Sequence, residues 1–368
     1  MSFNCIGNLL RLTTFGESHG PCIGGILDGF PANIQLDLNT IQTALDQRKP
    51  GGESVSPRKE EDKIQILSGV EDSITTGAPI AFSINNTNAK KTAYNDLKST
   101  VRPGHANATY HAKYGHFSQS GGGRASARET AVRVAAGAIC AQLFKTPIEF
   151  LAWVDSVGPY KSQIKIDTIT HDMITRESLF CPDSDIVGDI KDYLSHLQKE
   201  GDSCGGNIRF LIRNAPMGLG EPIYQKMEAY LAYAMMSIPA SKGFEIGSGF
   251  NASQLLGSEH NDIVKNQFGQ TQFNYAGGIL GGITNGDPIY GRVGFKPTSS
   301  IKKPQNTYTF EGDKVKIEHG KAHRHDPCVA IRAVPIVKAM CQIVLADLYL
   351  CQMVRTGQSH HVSSADVS

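Results

Sequence analysis

A layered fold of mixed strands and helices, α+β or α/β, is what this sequence predicts, and three observations predict it. Short apolar runs are bounded by glycine or proline, as strands are. Longer stretches repeat their apolar residues at helical spacing. No internal repeat or low-complexity linker divides the chain.

In chain order, CIGGILDGF (22–30) and PIAFSI (79–84) read as strands. ASARETAVRVAAGAICAQLF (125–144) contains the start of a helix, because Ala, Arg and Glu favour one and Val132, Ala135, Ala136 and Ile139 form an apolar face. DIVGDIKDYLSHLQKEG (185–201) is a second helix, with Gly201 as its C-terminal stop. GRVGF (291–295) is a third strand. PCVAIRAVPIVKAMCQIVLADLYL (327–350) is a long helix expected to be disturbed near Pro335. RKPGGESVSPRKEEDK (48–63) and KPTSSIKKPQNTYTFEGD (296–313) combine glycine or proline with clustered charge, which suits long surface loops around a site. The tail TGQSHHVSSADVS (356–368) is polar and expected to be disordered.

Length alone, 368 residues, suggests two domains. Hydrophobic residues at 40% and charged residues at 19% are ordinary for a globular protein. A net charge of +1 excludes a generally basic surface, so nucleic acid is not an expected partner and anions must be held by local basic clusters. The first twenty residues lack a cationic start followed by an apolar core, so no signal peptide is expected. No apolar run is read as long enough for a membrane span. Eight scattered cysteines without a CxxC pair fit free thiols in a reducing cytoplasm.

Five clusters carry chemistry. Gly16-Glu17-Ser18-His19-Gly20 follows the strand-like LLRLTTF; its glycines allow a tight turn that presents His19. It also matches GxSxG, the elbow of serine hydrolases, although that elbow normally follows several strands. Arg102-Pro103-Gly104-His105 specifies a fixed non-helical backbone that suits a general acid, with an incidental surface histidine as the alternative. Gly121-Gly122-Gly123-Arg124-Ala125-Ser126-Ala127-Arg128 runs into a helix: backbone amides, the helix N-terminus and two guanidiniums suit phosphate or carboxylate. It is not a Walker loop, and a flexible linker is the alternative. Lys296-Pro297-Thr298-Ser299-Ser300 offers small donors to a phosphate, or is a polar turn. Ala322-His323-Arg324-His325-Asp326-Pro327-Cys328, with Arg332 beyond, is better suited to anions than to a metal, because the arginines are dense and no second cluster has ligand spacing.

GESHG, RPGHA followed by KYG, GGGRASARET, AGGILGGIT, FKPTSSI and RHDPC followed by RAVP occur in the order seen in chorismate synthases, from about Leu10 to about Leu350. The chain resembles that family over nearly its whole length. One composite site drawn from all six motifs implies a single domain, residues 1–355, followed by the tail 356–368.

The resemblance implies a β-α-β sandwich, an α+β fold with helices between antiparallel sheets, assembled as a homotetramer. It implies a lyase that converts 5-enolpyruvylshikimate 3-phosphate to chorismate by 1,4-anti elimination of phosphate, the last step of the shikimate pathway to the aromatic amino acids, with reduced FMN. His19 resembles the histidine that protonates the leaving phosphate, His105 the one beside the flavin, and Asp326 the carboxylate that assists proton removal. Substrate contacts fall on Arg48, Arg102, Ser126, Arg128 and Arg332, with His19 and His105 beside them. Flavin contacts fall on Arg124, Ala125, Ser126, Pro239, Ala240, Gly281, Lys296, Pro297, Thr298, Ser299, Ser300 and Arg324. The sequence departs from the family in Gln47-Arg48-Lys49-Pro50-Gly51, where an arginine-rich segment is usual, and in Ser54, where another arginine is usual. Arg58 and Lys59 remain nearby. NADPH is therefore expected only as an external or weakly bound reductant, with an external flavin reductase as partner.

Overall fold

The structure, a computed structural model, describes residues 3–48, 62–87, 99–118, 122–177, 179–267, 269–317 and 326–357. Strands alternate inward apolar and outward polar side chains with period two. In Ile289–Phe295, Ile289, Val293 and Phe295 point inward, while Tyr290 and Arg292 face the other side.

The first half builds one sheet from β1 (Cys5–Ile6), β2 (Arg11–Gly16), β3 (Cys22–Asp28), β4 (Ile64–Ile66) and β7 (Ile80–Asn85), in the order β1-β2-β3-β7-β4. A small hairpin, β5 (Val70–Glu71) and β6 (Ile74–Thr75), precedes β7. The second sheet follows the order β11-β14-β10-β8-β9, from β8 (Glu149–Val157), β9 (Tyr160–Lys161), β10 (Gly206–Arg213), β11 (Ser241–Ile246) and β14 (Ile289–Phe295). Every strand pair in both sheets is antiparallel. Two further hairpins are β12 (Ile279–Leu280) with β13 (Ile283–Thr284), and β15 (Gln305–Tyr308) with β16 (Lys314–Ile317). The last corrects the reading of 296–313 as one long loop.

The helices are α1 (Leu38–Arg48), α2 (Asn107–Tyr114), α3 (Thr130–Cys140), α4 (His171–Thr175), α5 (Ser184–Glu200), α6 (Met227–Met236), α7 (Gly257–His260) and α8 (Ala330–Thr356). Helix α3 packs on the first sheet and α8 on the second, and the two helices pack on each other. This is the β-α-β sandwich, and the expected α+β class is borne out. Two glycines set the layer spacing. A Cβ on Gly25 of β3 would stand 2.7 Å from Val132 Cγ1, and one on Gly137 of α3 would stand 2.6 Å from Ala339 Cα. The Val132 side chain sits directly on the β3 backbone, and α3 and α8 meet at backbone distance.

Burial follows from this layering. Only one face of α3 was expected to be apolar, yet every residue from Thr130 to Cys140 except Arg133 is buried, because the helix has a sheet on one side and α8 on the other. Helix α8 continues past Pro335 rather than ending there: packing on several sides outweighs the about 3 kcal/mol that an interior proline costs. By length and composition α8 could cross a membrane, which corrects the reading that no stretch is long enough; 83% of its most apolar window is buried in the sandwich. Helix α5 ends as expected, with Gly201 in the left-handed region at φ 69°. Residues 358–368 of the tail lie outside the described residues, and Thr356 ends α8. All eight cysteines are free thiols.

Candidate functional site

The direction of the helices gathers the chemistry at one end of the sandwich. Gly137 meets Ala339 and the Phe144 ring meets Tyr349, so α3 and α8 run parallel and their N-termini lie together. Helix α1 runs the opposite way: the backbone N–H of Asp37, just before it, donates to Gln142 beyond α3, while Arg48 at its C-terminus reaches Thr130 at the start of α3. Two positive helix ends and the arginine of α1 therefore share one region, which suits anions.

Arg48 and Arg128 meet there on a residue the sequence reading did not single out, Asp62. Arg48 Nη1 donates to Asp62 Oδ2 at 3.0 Å and Arg128 Nη1 to Asp62 Oδ1; all three side chains are buried. Arg128 Nε donates to Asn86 Oδ1 at 2.7 Å, and Asn86 Nδ2 donates to the carbonyls of Glu17 and Gly20, both at 2.9 Å. Asn86, also missed, thus ties the His19 turn to Arg128. Nothing in the local sequence marks the Asp62 carboxylate as buried, and Asn86 is one of several polar residues closing a strand.

The GESHG turn joins β2 to β3, with Gly16 paired to Ile23. A nucleophile elbow passes from strand to helix, so this hairpin connection removes the hydrolase reading. Behind it, Arg124 donates to Gly16 O at 3.1 Å and to Thr14 Oγ1 at 2.7 Å, anchoring the glycine-rich segment to β2. Ser126 accepts from the Arg128 backbone N–H at 3.3 Å and caps the short turn leading into α3. Ala125 lies between these anchors.

The RPGH loop and the KPTSS segment are bound to each other. Arg102 Nη2 donates to Ser300 Oγ at 2.6 Å, Lys296 Nζ donates to Gly104 O at 2.7 Å, and Gly104, at φ 65°, leaves only 3.1 Å between an added Cβ and Ser299 Cβ. His105 Nδ1 faces the Asn107 N–H and Nε2 faces Arg102 Nη1, each at 3.2 Å. A neutral imidazole has one acceptor nitrogen, so both cannot be full hydrogen bonds in one tautomer. Tyr110 of α2 has its phenol pKa raised, by burial first and then by Tyr114, with Arg124 opposing.

Six further expected residues join this group. Lys296 N donates to Ala240 O at 3.0 Å, and Ala240, beside Pro239, holds a strained φ of 71°. Ser203 Oγ donates to Thr298 O at 2.8 Å, and Pro297 lies against Gly205. Cys204 N donates to Pro327 O at 2.8 Å, which brings in Asp326, itself paired with Arg332 Nη1 at 2.8 Å. The thiols of Cys204 and Cys328 share a hydrogen bond that raises the pKa of the first and lowers that of the second. Arg133 of α3 links the two groups, pairing with Glu129 at 2.6 Å and donating to Ser237 Oγ at 2.7 Å, two residues before Pro239.

Gly281 is not brought in. It sits in the β12–β13 turn, whose Gly282 O accepts from Met227 N at the start of α6, whereas Ala240 follows the other end of that helix, about 15 Å away at 1.5 Å per residue. Arg324, His323, His325, Gly121, Lys49, Pro50, Gly51, Ser54, Arg58 and Lys59 lie outside the described residues. Ser18 Oγ and Thr298 Oγ1 are buried and, among the described residues, have no hydrogen-bond partner. Orphaned hydroxyls beside lysine and arginine fit a ligand rich in phosphate and hydroxyl oxygens.

Comparison with known proteins gives one consistent answer. The chorismate synthase family model matches residues 10–350. The chorismate synthase of Prochlorococcus marinus (strain MIT 9301) is 48% identical over 348 residues, covering 93% of this chain and 95% of the relative. That of Christiangramia forsetii is 46% identical over 351 residues, covering 95% of this chain and 98% of the relative. A solved chorismate synthase crystal structure superposes with a TM-score of 0.73 at 30% identity, covering 95% of this chain and 94% of that one.

Proposed function

The chain belongs to the chorismate synthase family, a family of lyases of the shikimate pathway, and on that premise we propose that it converts 5-enolpyruvylshikimate 3-phosphate to chorismate and phosphate by a 1,4-anti elimination that requires reduced FMN. The observation that carries this reading is the convergence of Arg48, Arg128 and Arg332 with the N-termini of α3 and α8 at one end of the helix layer. A substrate with two carboxylates and a phosphate needs such a concentration of positive charge.

Arg48, Arg102, Arg128, Arg332 and Ser126 bind and orient the substrate anions. His19, on the turn braced by Asn86, supplies the proton that the departing phosphate oxygen takes up. Asp326 assists removal of the substrate proton while Arg332 braces its carboxylate. His105, between Arg102 and the Asn107 amide, holds a proton on its ring beside the cofactor.

Arg124, Ala125, Ser126, Pro239, Ala240, Lys296, Pro297, Thr298, Ser299 and Ser300 would hold FMN. The orphaned Thr298 hydroxyl supports this fit. Family resemblance adds Arg324 and also Gly281, which within this one chain stands apart from the others at the far end of α6. Reduced FMN, when bound, supplies electron density transiently to the substrate. NADPH acts only as an external or weakly bound reductant, through an external flavin reductase. The enzyme works as a cytoplasmic homotetramer of single-domain subunits spanning residues 1–355.

The test is anaerobic incubation with enolpyruvylshikimate phosphate and photoreduced FMN. Release of chorismate and phosphate in equal amounts is expected; no release with reduced flavin overturns the reading.

A further inference from the structure

Asp62 is fully buried, and its one carboxylate serves two arginines from distant parts of the chain. Arg48 closes α1, Asp62 precedes β4, and Arg128 lies in the short turn before α3. Two guanidiniums brought this close repel each other strongly away from water, and the carboxylate between them offsets that repulsion.

Further hydrogen bonds fix the two planes. Arg48 Nε donates to Thr130 Oγ1 at 3.2 Å and Nη2 to Ala127 O at 2.7 Å. Arg128 Nε donates to Asn86 Oδ1 at 2.7 Å and Nη2 to Asn85 O at 3.2 Å. Apolar side chains fill buried charged sites of this kind with equal or better stability, so stability is a weak reason to build one. Fixed orientation of the guanidiniums is what the cluster supplies and an apolar replacement would not.

We propose that Asp62 is a positioning residue for substrate binding: it sets the spacing and orientation of Arg48 and Arg128 toward an anionic group of the substrate. This rests on the reading above that both arginines bind the polyanionic substrate. Asp62 itself touches no reacting atom.

The experiment compares Asp62→Asn with the unaltered full chain under anaerobic turnover, reading KM and kcat separately, with FMN affinity and melting temperature as controls. KM is expected to rise about ten- to a hundredfold, the usual range when an orienting partner is lost, with FMN affinity and kcat changing much less. Arg48→Lys, which keeps the charge and loses the fork, should raise KM too. Combined with Asp62→Asn it should add less than the sum of the single effects, as members of one network do. Should Asp62→Asn not fold, Asp62→Glu, which keeps the charge and displaces it by one methylene, carries the same comparison. An unchanged KM in the folded variant, with only melting temperature lowered, overturns the proposal. Failure of the unaltered chain to turn over the substrate instead overturns the functional reading on which it rests.

Discussion

Arg102 and Ser300, 198 positions apart, are joined by a 2.6 Å hydrogen bond from the guanidinium to the hydroxyl. The bond ties a segment expected to bind substrate to one expected to bind flavin. With Lys296 also holding Gly104 O, the two segments form one unit, and ordering either orders both.

That linkage predicts reciprocal binding. FMN should bind weakly alone and about 5- to 150-fold more tightly with an unreactive substrate analogue present, and flavin should tighten the analogue by the same factor. Anaerobic flavin titrations with and without the analogue measure it. Equal affinities would show that the segments are not coupled.

His19→Ala and His105→Ala should each lower turnover by about 10²–10⁴-fold, the usual contribution of a placed proton donor, while both proteins still bind FMN. Near-normal rates in both would show that neither residue handles a proton.

Arg128→Ala should weaken substrate binding through loss of a charge-assisted contact worth about 1.5–3 kcal/mol. The structure adds a second effect. Asp62 loses one of its two partners while still buried, so the unfolding free energy should also fall, by up to about 3–5 kcal/mol. Urea unfolding alongside a binding titration separates the two. A variant as stable as the parent would show that Asp62 does not depend on Arg128.

Asp347, fully buried in α8, accepts from the backbone N–H groups of Asn8, Leu9 and Leu10, all within 2.9 Å, and from the Tyr230 hydroxyl at 2.9 Å. Asp347→Ala would leave these donors unsatisfied in the core and should cost at least about 3 kcal/mol. Thermal unfolding measures it, and a loss below about 1 kcal/mol would refute the assignment.

The Tyr290 phenol is pushed up by burial to about 12 from 10.0. Its folded pKa is raised, so its contribution to stability is intact below pH 10 and is lost as pH rises toward 12. Unfolding free energy should therefore fall across that window, and Tyr290→Phe should lessen the fall. An identical pH dependence in the variant would show that another group is responsible.

Local pattern carried the elements. Glycine- or proline-bounded apolar runs became β3, β7 and β14, and Gly201 stopped α5, because the backbone freedom of glycine and the period of apolar side chains act within a few residues. The six motifs likewise identified the family. Partner choice between segments was not legible. Asp62 between Arg48 and Arg128, Asn86 between Arg128 and the His19 turn, and the continuity of α8 through Pro335 all depend on what packs alongside. The separation of Gly281 from Ala240 is of the same kind, since it arises from the length of α6. Burial and ion pairing are properties of the neighbourhood that closes around a residue, and contacts across a hundred positions create it only once both sheets have closed on the helices.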